Sequence, residues 1–118
     1  MTPTETVLAF VTAAFVNFDP EAAGALLKDD YIQHNPAVPT GAEAFLGLLP
    51  ALEDSGITAE PHRIIAEGDF VVMHSSYSNA QTFGAEQLVA FDVFRVEDGK
   101  VAEGTVRLNG LEQGRVRG

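Results

Sequence analysis

The hydrophobic period of this chain changes once, and that change limits the folds open to it. Up to about residue 56, apolar residues recur at helical spacing; from residue 58 they come in extended runs separated by glycine-bearing turns. Thr2-Pro3-Thr4-Glu5 supplies a capping hydroxyl, a proline at the first helical position and a glutamate three residues after the cap. Val7, Leu8, Val11, Ala14 and Phe15 follow at three- and four-residue intervals, which predicts a helix of roughly four turns ending near Asn17. Asp19-Pro20-Glu21 repeats the cap-and-proline start for a short second helix, Ala22 to Leu27. Thr40 with Glu43 opens a third, carrying Phe45, Leu46, Leu48, Leu49 and Leu52, kinked at Pro50 and ended by Gly56.

Four strands are expected afterwards, at 58–66, 70–78, 87–96 and 100–109. Glu67-Gly68-Asp69 and Glu97-Asp98-Gly99 are short enough to make antiparallel hairpins, while Asn79 to Glu86 is a longer connection. Helices first and strands second give an α+β domain with the helices on one face of a curved antiparallel sheet. With 118 residues, 46% of them apolar, the chain supports one core. Residues 1–109 form that single domain, and the Gly/Arg-rich segment 110–118 is a tail expected to fray.

Composition removes several function classes. Seven Lys+Arg against 17 Asp+Glu leave a formal charge of −10, which repels nucleic-acid phosphates and anionic membrane surfaces. The absence of cysteine excludes disulfides, thiolate nucleophiles and thiolate metal sites. The uncharged run Thr6 to Phe18 is too short to span a bilayer and has no preceding basic residue, so a cytoplasmic protein is expected. Phe70-Val71-Val72-Met73 and Leu88-Val89-Ala90-Phe91 are apolar at both parities. Either a homodimer formed sheet to sheet covers the second face, or a monomer carries an apolar patch.

Few residues can carry chemistry. Tyr31-Ile32-Gln33-His34-Asn35-Pro36 crowds hydrogen-bonding side chains into a segment stiffened by proline. There, His34 either moves a proton in a pocket, with Tyr31 and Asn35 orienting the ligand, or satisfies backbone groups at a chain turn. His74 follows an apolar run and shares its parity with Ser76 and Ser78, so it lines a cleft or is a hydrogen-bonded core residue. Asp92, between Phe91 and Val93, must find a partner or shift its pKa. It orients His74, acts as a base itself, or pairs with Arg95 or Arg63. His62, beside Pro61 near a strand start, is expected to be exposed and without a role. The histidines lack helical metal-ligand spacing, and no Gly-rich phosphate loop or nucleophile elbow is present.

The Tyr-x-Gln-His-Asn-Pro block, the later Glu-Gly-Asp-x-Val-Val-x-His-Ser run and Asp-x-Phe-Arg-Val-x-Asp-Gly-Lys-x-x-Glu together resemble the SnoaL-like polyketide cyclase branch of the nuclear transport factor 2-like superfamily. The resemblance runs from about Thr6 to Glu103 and rests on Tyr31 to Pro36, Gly41, Glu67 to Asp69, His74-Ser75, Asp92 to Arg95, Gly99-Lys100 and Glu103. It implies a cone-shaped fold, an apolar pocket between helices and sheet, usually in a dimer, and acid–base chemistry with no metal or organic cofactor. Carried over by position, Tyr31, His34, Asn35, His74 and Asp92 become pocket residues. Two departures stand out: Ser76 where many relatives have a histidine, and Gly104-Thr105-Val106 where they commonly read His-Trp-Asp. The shuttle acid of the cyclases thus falls at Val106, which alternation points inward, and the small residues at 104 and 105 are expected to enlarge the pocket.

The site expected from this sequence is His74, Asp92 and His34 for proton transfer, with Tyr31, Asn35, Ser76 and Val106 around an apolar small-molecule ligand that bears a carbonyl or hydroxyl group. The competing reading is a non-catalytic ligand-binding or dimerisation module that has lost its acid at Val106.

Overall fold

The computed structural model describes residues 1–34, 41–112 and 115–117. Helix α1 spans Pro3–Phe15, with the expected capping box: the Thr2 hydroxyl accepts from the Glu5 amide, and the Glu5 carboxylate accepts from the Thr2 amide. Its buried stripe is Thr6, Val7, Phe10, Val11, Ala13 and Ala14, whereas Leu8 lies 39% exposed. At about 100° per residue, a face centred between Val7, Phe10 and Val11 leaves Leu8 to one side. Helix α2, Pro20–Ala25, is capped by Asp19, whose carboxylate accepts from the Glu21 and Ala22 amides.

The segment that follows differs from the sequence reading. Leu27–His34 is a strand, β1. The expected third helix is two, α3 at Ala42–Leu46 and α4 at Leu49–Ser55, and Pro50 lies in the first turn of α4 instead of kinking a longer helix. A proline there costs nothing, because first-turn amides have no intrahelical acceptor. Gly56 ends α4 in the left-handed conformation, φ 75°.

Strands β2 (Thr58–Glu67), β3 (Phe70–Ser78), β4 (Gln87–Glu97) and β5 (Lys100–Glu112) match the four expected runs. A single 3-10 turn, Gln81–Phe83, occupies the long β3–β4 connection. The hairpin turns have the backbone their residues favour, with positive φ at Gly68 in one and at both Asp98 and Gly99 in the other. Among the described residues the sheet has the order β1-β5-β4-β3-β2, with β1 parallel to β5 and the other neighbours antiparallel. The segment expected to fray holds the end of β5 and a short strand β6, Arg115–Arg117, paired back onto it.

Irregular register between Pro61 and Arg63, between Arg95 and Val96, and in β1 between Leu27 and Ile32 marks bulges, which bend and curl a sheet. The helices pack into that curl. Phe10 of α1 meets Phe94 of β4 edge-on and Phe45 of α3, and Phe15 packs edge-on against Tyr77 of β3. Val7, Leu49, Leu52, Val71, Met73 and Val101 are essentially fully buried, each worth about 1.5–3 kcal/mol of burial. No helix among the described residues is long and apolar enough to cross a membrane.

Candidate functional site

Strand alternation decides which polar groups meet. On β3, Val71, Met73, Ser75 and Tyr77 are buried beneath the helices; on β4, Leu88, Ala90, Asp92, Phe94 and Val96 are. Asp92 stands directly opposite Met73 on one side and Val106 on the other. Ser75, opposite Ala90, is its diagonal neighbour on the same face. Tyr31 enters from β1 and Tyr77 from β3, 4% and 6% exposed.

The electrostatics of this group follow from its enclosure. Asp92 Oδ2 and Ser75 Oγ are both buried with no hydrogen-bond partner among the described residues. Burial pushes Asp92 up to about 7, because taking a carboxylate out of water penalises its charged form. Burial also raises the Tyr31 and Tyr77 phenols well above their ordinary value, and the Asp92 charge pushes both further up. The phenols therefore stay protonated donors across the physiological range. A carboxyl poised near neutrality can accept or release a proton there, on the face that also buries two neutral phenols and a serine hydroxyl.

Tyr31 reaches this position because residue 104 is glycine. A Cβ built on Gly104 would lie 2.8 Å from the Tyr31 hydroxyl oxygen. The small residue that was expected to enlarge a pocket instead makes room for the phenol. Val106 packs against the core on the same face, next to Asp92.

The other expected site residues are elsewhere. His74 faces the opposite side of the sheet, half-buried and stacked on Phe91 with centroids 4.7 Å apart and planes 4° from parallel. Its cross-strand partner is Phe91, one residue from Asp92 and therefore on the other face, so the expected meeting of His74 with Asp92 does not occur. Ser76 shares that outer face and hydrogen-bonds His62, with 2.6 Å between Oγ and Nε2. His34 is exposed and lies 2.7 Å from Glu103. It ends an outer-face ladder of charges: Arg95 donates to Glu103 and Glu97, and Lys28 donates to Glu97. Hydrogen bonds from His34 and then Arg95 hold Glu103 below the usual carboxylate range; Lys28 and then Arg95 do the same for Glu97. Asp92 is thus not the partner of Arg95. Asn35 lies outside the described residues.

Neither Ser75 nor Tyr77 is among the site residues expected from the sequence. Their signal was available once Asp92 is taken as inward, because its antiparallel partner Met73 fixes 75 and 77 on the same face. Among the described residues no group of three or more His, Cys, Asp or Glu is arranged to enclose a metal ion.

Comparison with known proteins agrees with this architecture. The sequence profile of the SnoaL-like domain matches residues 7–104. No curated protein matches the sequence significantly. Among solved structures, the candidate polyketide cyclase SMa1630 of Sinorhizobium meliloti is similar at a TM-score of 0.74 and 19% identity, over 91% of this chain and 100% of that one. IdmH of Streptomyces antibioticus, also described as a candidate polyketide cyclase, aligns at a TM-score of 0.69 and 20% identity over 92% of each chain. A nuclear transport factor 2-like protein of unknown function from Cytophaga hutchinsonii aligns at 0.73 and 18% identity, over 92% of this chain and 90% of that one. At these identities the structures share the fold, and the profile match over most of the sequence makes the chain a member of the SnoaL-like domain family.

Proposed function

We propose that this protein binds an apolar small molecule bearing a carbonyl or hydroxyl group, and performs cofactor-independent acid–base chemistry on it through Asp92. The observation that carries this reading is the enclosed carboxyl with one oxygen that finds no partner among the described residues, since a buried polar atom without a partner is costly to keep for packing alone. In its ionised form Asp92 removes a proton from carbon adjacent to a carbonyl, and its conjugate acid returns that proton at another position. Tyr31 and Tyr77, held protonated, donate to the oxygen on which negative charge develops, and Ser75 offers a further contact. Candidate polyketide cyclases among the structural neighbours support acid–base chemistry on carbonyl-bearing molecules. Val106 at the position of the cyclase shuttle acid favours a second reading, a pocket protein that binds without turning over.

An enolisable apolar ketone tests the first reading. Exchange of the α-protons of 2-tetralone in deuterated buffer, followed by proton NMR, is expected to be accelerated by the wild-type protein and to rise with pH through about 7 as Asp92 ionises. Asp92→Asn lowers the acceleration at least tenfold. Equal exchange by the two proteins at every pH removes Asp92 from the chemistry, and saturable binding of the ketone without exchange supports the second reading.

We also propose that a second copy of the chain covers the apolar middle of the outer face, around Val72 and Val93, and leaves the Pro61–Arg63 bulge of β2 uncovered. Phe70, Phe91, Val93 and Ile65 are 50%, 42%, 37% and 63% exposed there, and charges of both signs border them, Glu67 and Arg63 on β2 and Arg95 and Glu103 on β4 and β5.

A further inference from the structure

On that outer face two imidazoles meet across neighbouring strands. His62 sits at the bulge between Pro61 and Arg63 on the edge strand β2, and His74 lies on β3 opposite Arg63. Their ring centroids are 5.1 Å apart and their planes are inclined by 47°. Two imidazoles bound to one tetrahedral ion, through metal–nitrogen bonds of about 2.0–2.1 Å, hold their centroids about 5 Å apart.

Both rings are already held. His74 stacks flat on Phe91. The Nε2 of His62 contacts Ser76 Oγ, and when it donates there its Nδ1 keeps the lone pair that a metal requires. A partner on the far nitrogen is the usual way in which a ligating imidazole is fixed in tautomer and orientation. No hydrogen bond engages the His74 ring among the described residues, so its nitrogens are uncommitted.

We propose that His62 and His74 form an open two-histidine site for a divalent transition-metal ion of the imidazole-binding class, such as Zn2+ or Ni2+. Water completes the coordination, which makes the site weaker than a closed four-ligand one. The formal charge of −10 draws cations toward the chain, and Glu60, paired with Ser76, adds a carboxylate on the same strand. Arg63, the register partner of His74, acts in the opposite direction. A bound ion ties edge strand β2 to β3 at its bulge and so raises the melting temperature of the domain. The site shares no residue with the Asp92 group and does not depend on what that group does.

Calorimetric titration of the metal-free full chain with zinc chloride, and separately with nickel chloride, at about pH 7.5 tests the proposal. One ion per chain is expected, with affinity falling at least tenfold in His62→Gln and in His74→Gln and unchanged in His34→Gln. His62 is exposed, so His62→Gln decides the matter even if His74→Gln fails to fold. No saturable binding at millimolar metal overturns the site, as does equal binding by wild type and His62→Gln, which would assign the ion to surface carboxylates.

Discussion

The Tyr31 hydroxyl occupies the space that a side chain at position 104 would take, for a Cβ on Gly104 would lie 2.8 Å from it. The phenol is buried and the strand beneath it is central, so neither gives way freely. Gly104→Ala is therefore expected to displace Tyr31 and to destabilise the fold by about 1–3 kcal/mol, read from urea unfolding. Removing the hydroxyl with Tyr31→Phe in the same chain relieves the clash, so the double variant loses less than the two single losses added together. Strict additivity would show that the two residues do not press on one another.

Asp92 sets a pH dependence whose sign is unusual for a carboxylate. Its unfolded value lies near 3.8 and its folded value near 7, so between these limits the folded state holds a proton that the unfolded state has released. The contribution of Asp92 to stability is full below about pH 4, falls as pH rises through this window, and levels off above 7, for a total of order 4 kcal/mol at about 1.4 kcal/mol per unit. Asp92→Asn abolishes that slope, which urea unfolding at a series of pH values measures. A wild-type slope equal to that of Asp92→Asn would place the carboxyl in contact with water.

Ser75 offers a contrast between stability and function. Its buried hydroxyl has no partner among the described residues and is desolvated without compensation, so Ser75→Ala is expected to stabilise the fold by about 1 kcal/mol. If the hydroxyl serves a ligand, the same substitution weakens exchange of 2-tetralone protons. Loss of stability instead would mean that Ser75 has a structural partner.

The sequence made some of this legible and concealed the rest for identifiable reasons. The capping box at Thr2 and Glu5, the two hairpin turns and the four later strands follow from local chemistry, and the local chemistry prevailed. Strand β1 was hidden because Leu27–His34 lacks alternation, carrying Lys28, Asp29 and Asp30 through a bulged parallel pairing that only tertiary context fixes. The faces of β3 were ambiguous because Phe70 to Met73 is apolar at both parities, and the eight-residue stretch from Asn79 to Glu86 does not set register as a two-residue turn would. Asp92 was recognisable as an oddity inside an apolar strand, whereas its separation from His74 required the register. The His62–His74 pair arises across two strands at a bulge, where no linear spacing announces it.

The outer face gives the last prediction. Ile65, Val72 and Val93 lie in register across β2, β3 and β4, with Phe70 and Phe91 in the adjoining rows. Such a continuous apolar area in the middle of a sheet, bordered by Arg63, Glu67, Arg95 and Glu103, suits an isologous contact in which each copy offers the same patch. Sedimentation at micromolar concentration is expected to give twice the 12.6 kDa chain mass. Val93→Lys puts an ammonium at the centre of the patch, where burial against another copy would strand it, and is expected to yield a folded monomer. Because dimerisation adds stability by mass action, the wild-type melting temperature rises with protein concentration while that of Val93→Lys does not. A wild-type chain that sediments as a monomer, with a concentration-independent melting temperature, would leave the apolar face open to solvent.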